Sequence, residues 1–298
     1  MSVAVHAVLD AAGDLASLRQ RVARLDDSGV AGVLAPDHLF FALGGDRASS
    51  YRPDDPFVVL SAVAALSTRL SVGTLVANVG IDHPALVLRH FAQLAALIGG
   101  DRVIAGIGAG WNTEEFDGLG IDMPAHAARL ARLDEACQLA RQWFDAGTAD
   151  VDGTHVVARS LPMAPAAPTP PKLLLGGGSD RFLELAGRHA DIVDLNGSSR
   201  RRPLGRTMPV RDDRTRRRST TFDDLTAAAA RISDVAASAG RARPAFSIVV
   251  EVGAQPSDCP YVLGGDVAAQ RDQLAERAER LDLTMVAAPE AAAAALVS

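Results

Sequence analysis

Short runs of aliphatic and β-branched residues alternate with longer stretches of helical periodicity along most of the chain. This alternation predicts eight strands, each followed by a helix, within the 298 residues. Because strands joined by helical crossovers run parallel to one another, the pattern indicates a parallel sheet. The expected strands cover residues 3–9, 32–35, 70–77, 102–107, 172–175, 192–195, 246–252 and 284–287.

The strands are apolar throughout, as in VIAGI, LLLGG and SIVVEV, which indicates burial on both faces. The Gly-rich turn of a dinucleotide-binding half is missing after the first strand, where the sequence reads VLDAAGDL. We therefore expect a closed (β/α)8 TIM barrel rather than a doubly wound sheet, with residues 1–298 in one domain. An extended Pro-rich connector at 161–171 should precede strand five, and an Arg-rich loop at 200–218 should follow strand six.

Composition excludes several classes of protein. Hydrophobic residues make up 48% of the chain, enough for a large core, and the net charge of −6 argues against nucleic acid as the main partner. No apolar run reaches the roughly 18 residues of a membrane span, and the start MSVAVHAVLD does not read as a signal peptide, so a cytoplasmic protein without membrane partners is expected. No CxxC, HxH or HExxH motif occurs, so no metal site is expected. Lys172 is the only lysine, which leaves Schiff-base chemistry to that residue alone.

Two glycine-rich turns follow neighbouring strands at the carboxyl ends, the end where barrels of this kind bind ligands. Glycines let an anion approach the main chain closely, and amides at the start of a helix favour negative charge. Two such turns at one end of the barrel favour a phosphate site, with a pair of ordinary left-handed turns as the alternative. The turns comprise Gly108 and Gly110 in the first, and Gly176, Gly177, Gly178 and Ser179 in the second.

Histidines near strand ends are the candidate proton-transfer residues. His38 follows Asp37 directly after strand two, and a histidine pKa near neutrality suits acid–base chemistry, although a purely structural histidine is an equal alternative. His6 lies within strand one, where alternation could point it into the barrel mouth. His83, before Pro84, could cap a helix or line the pocket.

The segment at 200–218 contains nine arginines together with Asp212 and Asp213. Mixed charge of this kind is typical of a solvated loop, which is the favoured interpretation. A lid over the mouth, or a contact for a polyanion, is the alternative.

Six segments together resemble the bacterial luciferase-like flavin and deazaflavin superfamily, and in detail its actinobacterial branch of probable coenzyme F420-dependent oxidoreductases. The similarity covers about residues 20–197 and becomes fainter towards the C-terminus. The segments are APDHLF, TRLSVGTLV, HPALVLRHFAQLAAL, DRVIAGIGAGWNTEEF, ARLARLDEACQLARQWF and KLLLGGGSDRFLELAGRHADIVDL.

The resemblance implies a TIM barrel that is commonly a homodimer. It also implies that Asp37 and His38 line the pocket for the deazaflavin and the substrate, with His38 as a candidate acid or base. Thr74, Leu75 and Val76 match the end of strand three, where such enzymes carry a non-proline cis peptide, here Leu75-Val76, pressing on the back of the ring.

Further positions are implied to hold the cofactor. Gly108, Gly110 and the Gly176–Gly178 run match the main-chain cradle for the cofactor phosphate, and Ser179 could add a hydroxyl. Asn112 belongs to the motif that flanks the cofactor tail. Trp111 stands where the sugar-phosphate dehydrogenase branch has an acid, which argues against glucose 6-phosphate as substrate.

We therefore expect a two-electron oxidoreductase that transfers a hydride between F420 and a small organic substrate. His38 would supply a proton, and the substrate pocket would include His6, Trp111 and His83. The nearest alternative is a reduced-FMN-dependent monooxygenase of the same superfamily. More distant alternatives are a non-redox lyase or hydrolase that uses Asp37 and His38, and a cofactor-binding subunit without turnover. The Arg-rich loop could meet the oligoglutamate tail of the deazaflavin.

Overall fold

The computed structural model describes residues 3–9, 11–40, 53–163, 168–196, 217–255 and 257–297. Its strands are β1 (Ala4–Val8), β2 (Gly32–Ala35), β3 (Ser71–Thr74), β4 (Ala77–Asn78), β5 (Val103–Gly108), β6 (Thr148–Asp152), β7 (Val157–Pro162), β8 (Lys172–Gly177), β9 (Ile192–Leu195), β10 (Ala245–Val249), β11 (Glu251–Gly253), β12 (Val262–Gly264) and β13 (Leu283–Pro289). Its helices are α1 (Leu15–Ser28), α2 (Pro56–Leu66), α3 (Pro84–Ile98), α4 (Thr113–Gly118), α5 (His126–Ala146), α6 (Asp180–His189), α7 (Phe222–Ser238), α8 (Val267–Leu281) and α9 (Glu290–Val297).

Eight parallel strands close into a barrel, which confirms the predicted fold. The order is β3-β2-β1-β13-β10-β9-β8-β5, and β3 also pairs with β5 to close the circle. The short β4 continues β3 and pairs with the end of β5. Because all these strands run the same way, their carboxyl ends form one rim, called here the mouth, and their amino ends form the base.

The strands are buried on both faces, as the apolar runs predict. An inner cluster fills the barrel, and a larger outer cluster packs the strands against the surrounding helices. The residues of the inner cluster come from five strands and are Leu34, Ile104, Leu174, Ile192, Met285 and Ala287. This plug makes the barrel a packed core, so ligands can bind only above it or at its surface.

Local signals fix the ends of the helices. The Asp14 carboxylate caps α1 by accepting the Ser17 amide at 2.7 Å, and Gly29 ends that helix with φ 84°. Thr221 and Asp224 form a reciprocal capping box at the start of α7. Buried Leu18, Val22 and Leu25 occupy one face of α1 against the core. No described helix is both long and apolar enough to cross a bilayer.

Several elements depart from the predicted pattern. The third strand is interrupted after Thr74, so one predicted strand becomes β3 and β4. The antiparallel hairpin of β6 and β7 precedes the Pro-rich connector and overlaps its start. The short helix α4 occupies a region where the sequence predicts neither a helix nor a strand. The strand predicted at 246–252 is divided into β10 and the start of β11, and β11 pairs in parallel with the unpredicted β12. Lys172, the exposed first residue of β8, lies at the base.

Candidate active site

The two glycine turns lie side by side at the mouth. In the parallel ladder of β5 and β8, Ile107 pairs with Leu175, so Gly108 and Gly176 follow at neighbouring strand ends. The loop after β2, which carries Asp37 and His38, leaves the barrel at the same rim because β2 runs parallel to β3. The mouth therefore brings together the residues that the sequence places after separate strands.

His38 is paired with a carboxylate that sequence reasoning missed. Nδ1 of His38 lies 3.1 Å and 3.2 Å from the two carboxylate oxygens of Glu115, which is 2% exposed on α4. The same carboxylate accepts the Leu39 amide at 2.6 Å, so it orders the loop after β2 as well. A carboxylate on Nδ1 fixes the tautomer and orientation of an imidazole, an arrangement that catalytic triads use for proton transfer. The signal lay in GWNTEEF, where an acid falls within the first turn of a helix at the mouth.

Trp111 and Asn112 hold the wall beside His38. The Trp111 ring meets the His38 ring edge to face, with centroids 5.4 Å apart, and remains 42% exposed. Asn112 is buried, and its side chain caps α4 by accepting the Glu114 amide and donates to the Phe40 carbonyl at 3.0 Å. Asn112 thus fixes the loop after β2, and contact with a cofactor tail is not needed to explain its burial.

Asp37 and Thr74 support the segment at the end of the third strand. One carboxylate oxygen of Asp37 accepts the Asn78 amide at 2.8 Å, and burial raises the pKa of this carboxyl. Thr74 is fully buried and its hydroxyl donates to the Gly106 carbonyl, so its side chain does not face the mouth. The Leu75-Val76 peptide, which directly follows Thr74, is cis, as the resemblance implies. The side chains of Leu75 and Val76 pack against the inner cluster on the side that faces the mouth.

The glycines of the two turns differ in why they lack a side chain. A Cβ on Gly108 would meet Val76 at 2.5 Å, and one on Gly177 would meet the Phe182 ring at 2.8 Å. Gly110 has φ 72° and lies against the Asn78 amide. These three are required by packing or backbone conformation. On Gly176, by contrast, a Cβ would meet only Asp194 and Val76 at ordinary contact distances of 3.7 Å. Packing does not require a glycine there, so an absent side chain leaves room beside Val76.

A cavity of about 150 Å³ adjoins the second turn. Gly177 and Gly178 line one side, Asn196 follows β9, and the first turns of α7 line the other. Ser179 caps α6, since its hydroxyl accepts the Phe182 amide at 3.3 Å. The main-chain amides of this turn could accept an anionic group, but the carboxylates of Asp223 and Asp224 line the same cavity and would repel one.

Two of the expected pocket histidines lie elsewhere. His6 points into the barrel but near the base, where its Nε2 lies 3.0 Å from the Ser71 hydroxyl. His83 is exposed and caps α3 by accepting the Ala85 amide, and its Nε2 lies 3.1 Å from the Val157 carbonyl. Alternation specifies which face of a strand a side chain occupies but not its height in the barrel, which is why His6 was misplaced. The Arg-rich loop lies almost wholly outside the described residues.

The mouth also contains an unpredicted buried acid. Asp194 on β9 is 5% exposed, accepts the Ser247 hydroxyl at 3.1 Å, and lies beside Gly176. Burial raises its pKa to about 6, partly opposed by the Arg217 guanidinium. A larger cavity of about 660 Å³ lies between the start of α7 and α8, outside the strands, and is lined mainly by polar and charged groups. Its residues belong to none of the predicted sites apart from Arg218 of the Arg-rich loop.

Comparisons with known proteins agree with this architecture. The model of the luciferase-like monooxygenase family matches residues 1–296. An uncharacterized protein of Mycobacterium tuberculosis is 29% identical over 173 residues, which are 54% of this chain and 59% of that protein. The chain thus spans little more than half the length of this curated relative.

Two solved structures have the same fold. An F420-dependent secondary alcohol dehydrogenase in complex with an F420–acetone adduct superposes with a TM-score of 0.76, at 13% identity over 97% of this chain and 94% of that chain. The EDTA monooxygenase of Chelativorans sp. BNC1 also gives 0.76, at 13% identity over 100% of this chain and 93% of that chain. At such identities the likeness concerns the fold alone.

Proposed function

The chain belongs to the luciferase-like monooxygenase family, and we propose that it is an F420-dependent oxidoreductase that transfers a hydride between the deazaflavin and a small organic substrate. The observation that carries the proposal is the meeting of the His38–Glu115 pair and the open Gly176 position at one end of the barrel. The coarser conclusion, a luciferase-like oxidoreductase, rests on the family match over nearly the whole chain.

The residues of the mouth divide the work of such a reaction. Gly177, Gly178 and Ser179 would hold the phosphate, and Val76 and Gly176 would bound the ring. A bound deazaflavin supplies the carbon that carries the hydride. His38 would give a proton to the substrate atom next to the carbon that is reduced, or take one in the reverse direction. With Nδ1 held by Glu115, this transfer would use Nε2.

A reduced-FMN-dependent monooxygenase is the second candidate, because monooxygenases give the family its description and the EDTA monooxygenase has the same fold. Glycine turns do not distinguish the two cofactors, since both carry a phosphate and a tricyclic ring. Fluorescence titration with F420 and with FMN separates the candidates. Reoxidation of each reduced cofactor, with and without oxygen, then separates dehydrogenase from oxygenase chemistry. Tight binding of FMN alone would replace the first proposal by the second.

The open position at Gly176 gives a graded test of the binding mode. Alanine there makes only ordinary contacts, so Gly176→Ala should keep the melting temperature while weakening cofactor binding about tenfold. Gly176→Val should weaken binding further, because its methyl groups extend into the space beside Val76. Unchanged affinity in both variants would remove the ring from this position.

We also propose that the protein forms a homodimer. On α3, Leu86 and Leu97 are exposed by 54% and 78%, and on α2, Val58 is exposed by 70%. Leu86 and Leu97 are three helical turns apart on one stripe, with His90 and Gln93 between them, and a second copy could cover these exposed leucines. Light scattering should give twice the 31.1 kDa chain mass, and Leu97→Glu should shift it to the monomer. A monomeric wild type would contradict the proposal.

A further inference from the structure

Asp194 points into the barrel at the level of the mouth. Ile192, two residues earlier on β9, belongs to the inner cluster, while Val193 and Leu195 belong to the outer core. Period-two alternation therefore puts Asp194 on the inner face, one step closer to the mouth. A Cβ on Gly176 would lie 3.8 Å from Asp194 Oδ2 and 3.7 Å from Val76 Cγ1. The carboxylate thus borders the open position that the proposed ring site uses.

Arg217 is held next to this carboxylate by three contacts. Its Nη2 donates to the Val249 carbonyl at 2.6 Å, and its guanidinium carbon lies 4.6 Å from the centroid of the Tyr261 ring. The Cys259 thiol lies 3.6 Å from its main-chain carbonyl. Among the described residues, however, no acceptor meets its buried Nε. A fixed guanidinium with an unused, buried N–H is organised to donate to a group that the chain does not supply.

The two charged side chains lie near each other but do not form an ion pair. Arg217 is near enough to lower the pKa of Asp194, but no direct carboxylate–guanidinium contact forms between these two described side chains. Oδ1 of Asp194 accepts the Ser247 hydroxyl, and Oδ2 accepts no hydrogen bond from a described residue. Buried groups that only stabilise a fold are normally paired, because an unpaired charge is costly. The mouth therefore has one acceptor, Asp194 Oδ2, and one donor, Arg217 Nε, that no described group engages.

We propose that Asp194 and Arg217 recognise a ligand edge in which an N–H lies next to a carbonyl, the edge of a cyclic imide or lactam. Asp194 Oδ2 accepts the N–H, and Arg217 Nε donates to the carbonyl. Two ligands could present this edge at the mouth: the pyrimidinedione ring that F420 and FMN share, or a substrate of this chemical class. The inference rests on the proposed function only if the ligand is the cofactor ring, and not if it is a substrate.

Binding measurements on Asp194→Ala, Asp194→Asn and Arg217→Met test the pair, with Asp191→Asn as the matched control. Asp191 lies just before the same strand at the base, where it accepts the Leu173 amide at 2.8 Å. The probes are F420, FMN, succinimide and N-methylsuccinimide, which lacks the N–H. Affinities come from fluorescence titration for the cofactors and from calorimetry or ligand-observed NMR for the imides. Melting temperatures identify variants that fail to fold, and the isosteric Asp194→Asn guards against that outcome.

If the pair reads the cofactor edge, Asp194→Ala and Arg217→Met should each weaken cofactor binding about tenfold or more, and succinimide should compete with the cofactor. If it reads a substrate edge, cofactor affinity stays constant, and succinimide binds the cofactor-loaded protein through Asp194. In both cases Asp191→Asn behaves as wild type and N-methylsuccinimide binds more weakly than succinimide. Equal binding of the two imides, or unchanged affinities for every probe in the Asp194 variants, would overturn the inference. A wild type that ignores both cofactors but binds succinimide through Asp194 would overturn only the proposed function.

Discussion

The mouth and the base of the barrel each contain a buried titratable side chain beside a serine hydroxyl, and they treat it differently. At the base, His6 contacts Ser71, whose hydroxyl donates onward to the Ala31 carbonyl at 3.2 Å. At the mouth, Asp194 accepts from Ser247 and leaves its second oxygen beside a gap. Burial disfavours the charged form in both, so it lowers the pKa of His6 to about 4 and raises that of Asp194 to about 6.

Glycines make the same contrast. A Cβ on Gly32 at the base would lie 2.0 Å from the Ser71 hydroxyl and 2.9 Å from the His6 ring, so the strands there leave no space. On Gly176 at the mouth, a Cβ would find ordinary contacts. The polar side chains His6 and Ser71 at the base are thus enclosed by close packing, whereas Asp194 at the mouth lies beside a position with room for a further group. The difference separates a polar group tolerated inside a core from one arranged for a ligand.

The largest expected effect is on turnover at the mouth. His38→Ala should lower kcat about 10²–10⁴-fold if the pair transfers a proton, because it removes the imidazole, and Glu115→Gln should lower it less, because it removes only the carboxylate that orients the imidazole. Steady-state assays with the reduced cofactor and a substrate found by screening measure this. His6→Gln at the base is the control and should keep kcat. Full turnover in His38→Ala would confine His38 to a structural role.

Low pH should destabilise the protein through His6, which is buried at the amino-terminal end of the barrel. Its folded pKa of about 4 lies below the unfolded value of 6.5, so the unfolded chain binds more protons in this window. Stability from this group is therefore complete above pH 6.5 and falls as the pH drops towards 4, by roughly 3 kcal/mol. Urea unfolding of wild type and His6→Gln at pH 7 and pH 4.5 isolates the difference. Identical acid sensitivity in the two proteins would contradict the burial of a neutral His6.

The mouth should respond to pH with the opposite sign. Asp194 has a folded pKa of about 6 against 3.8 when unfolded, so the folded protein holds the proton more tightly. Stability then falls as pH rises from about 4 to 6 and stays lower above, by roughly 2–3 kcal/mol. Asp194→Asn removes this cost. The free energy of unfolding of the variant minus that of wild type should therefore be larger at pH 8 than at pH 4. A variant destabilised equally at both values would argue against a costly carboxylate.

The smallest expected effect is on the free energy of unfolding when a glycine at each end of the barrel is replaced by alanine. Gly32→Ala should cost about 1–3 kcal/mol, because the Ser71 hydroxyl and backbone must both move. Gly176→Ala should change the free energy of unfolding by less than about 0.5 kcal/mol. Chemical denaturation of the two variants side by side measures both. Equal losses would mean that the mouth is packed as closely as the base.

Most of the barrel was predictable, because its signals are local. Apolar runs and helical periodicity act within a few residues, as do an aspartate before a helix and a glycine after one. In the structure, Asp55 caps α2 and Gly29 ends α1. The hairpin of β6 and β7 was missed although β6 alternates between exposed and buried residues, because β7 loses the alternation after Arg159 and includes Pro162. The interruption after Thr74 became visible only through the resemblance, since nothing in the local pattern ends a strand there.

The candidate site was predictable only in part. Position after a strand predicts that the loop with Asp37 and His38 lies at the mouth, and the structure places it there. Glu115 reaches the mouth from α4 and Arg217 from the residues just before α7, so their relevance depends on tertiary contacts. Asp194 could have been found, since a carboxylate two residues after Ile192 on a buried strand must share its inward face.

The exposed position of Lys172 at the base has a practical consequence. Because it is the sole lysine, amine-directed reagents have one side-chain target, and the α-amino group is the other reactive amine. A biotin or dye coupled to Lys172 lies at the base, at the opposite end of the barrel from the mouth. Protein tethered to a surface through Lys172 would be oriented uniformly, with its opening towards the solution, where binding can be followed without chemical interference.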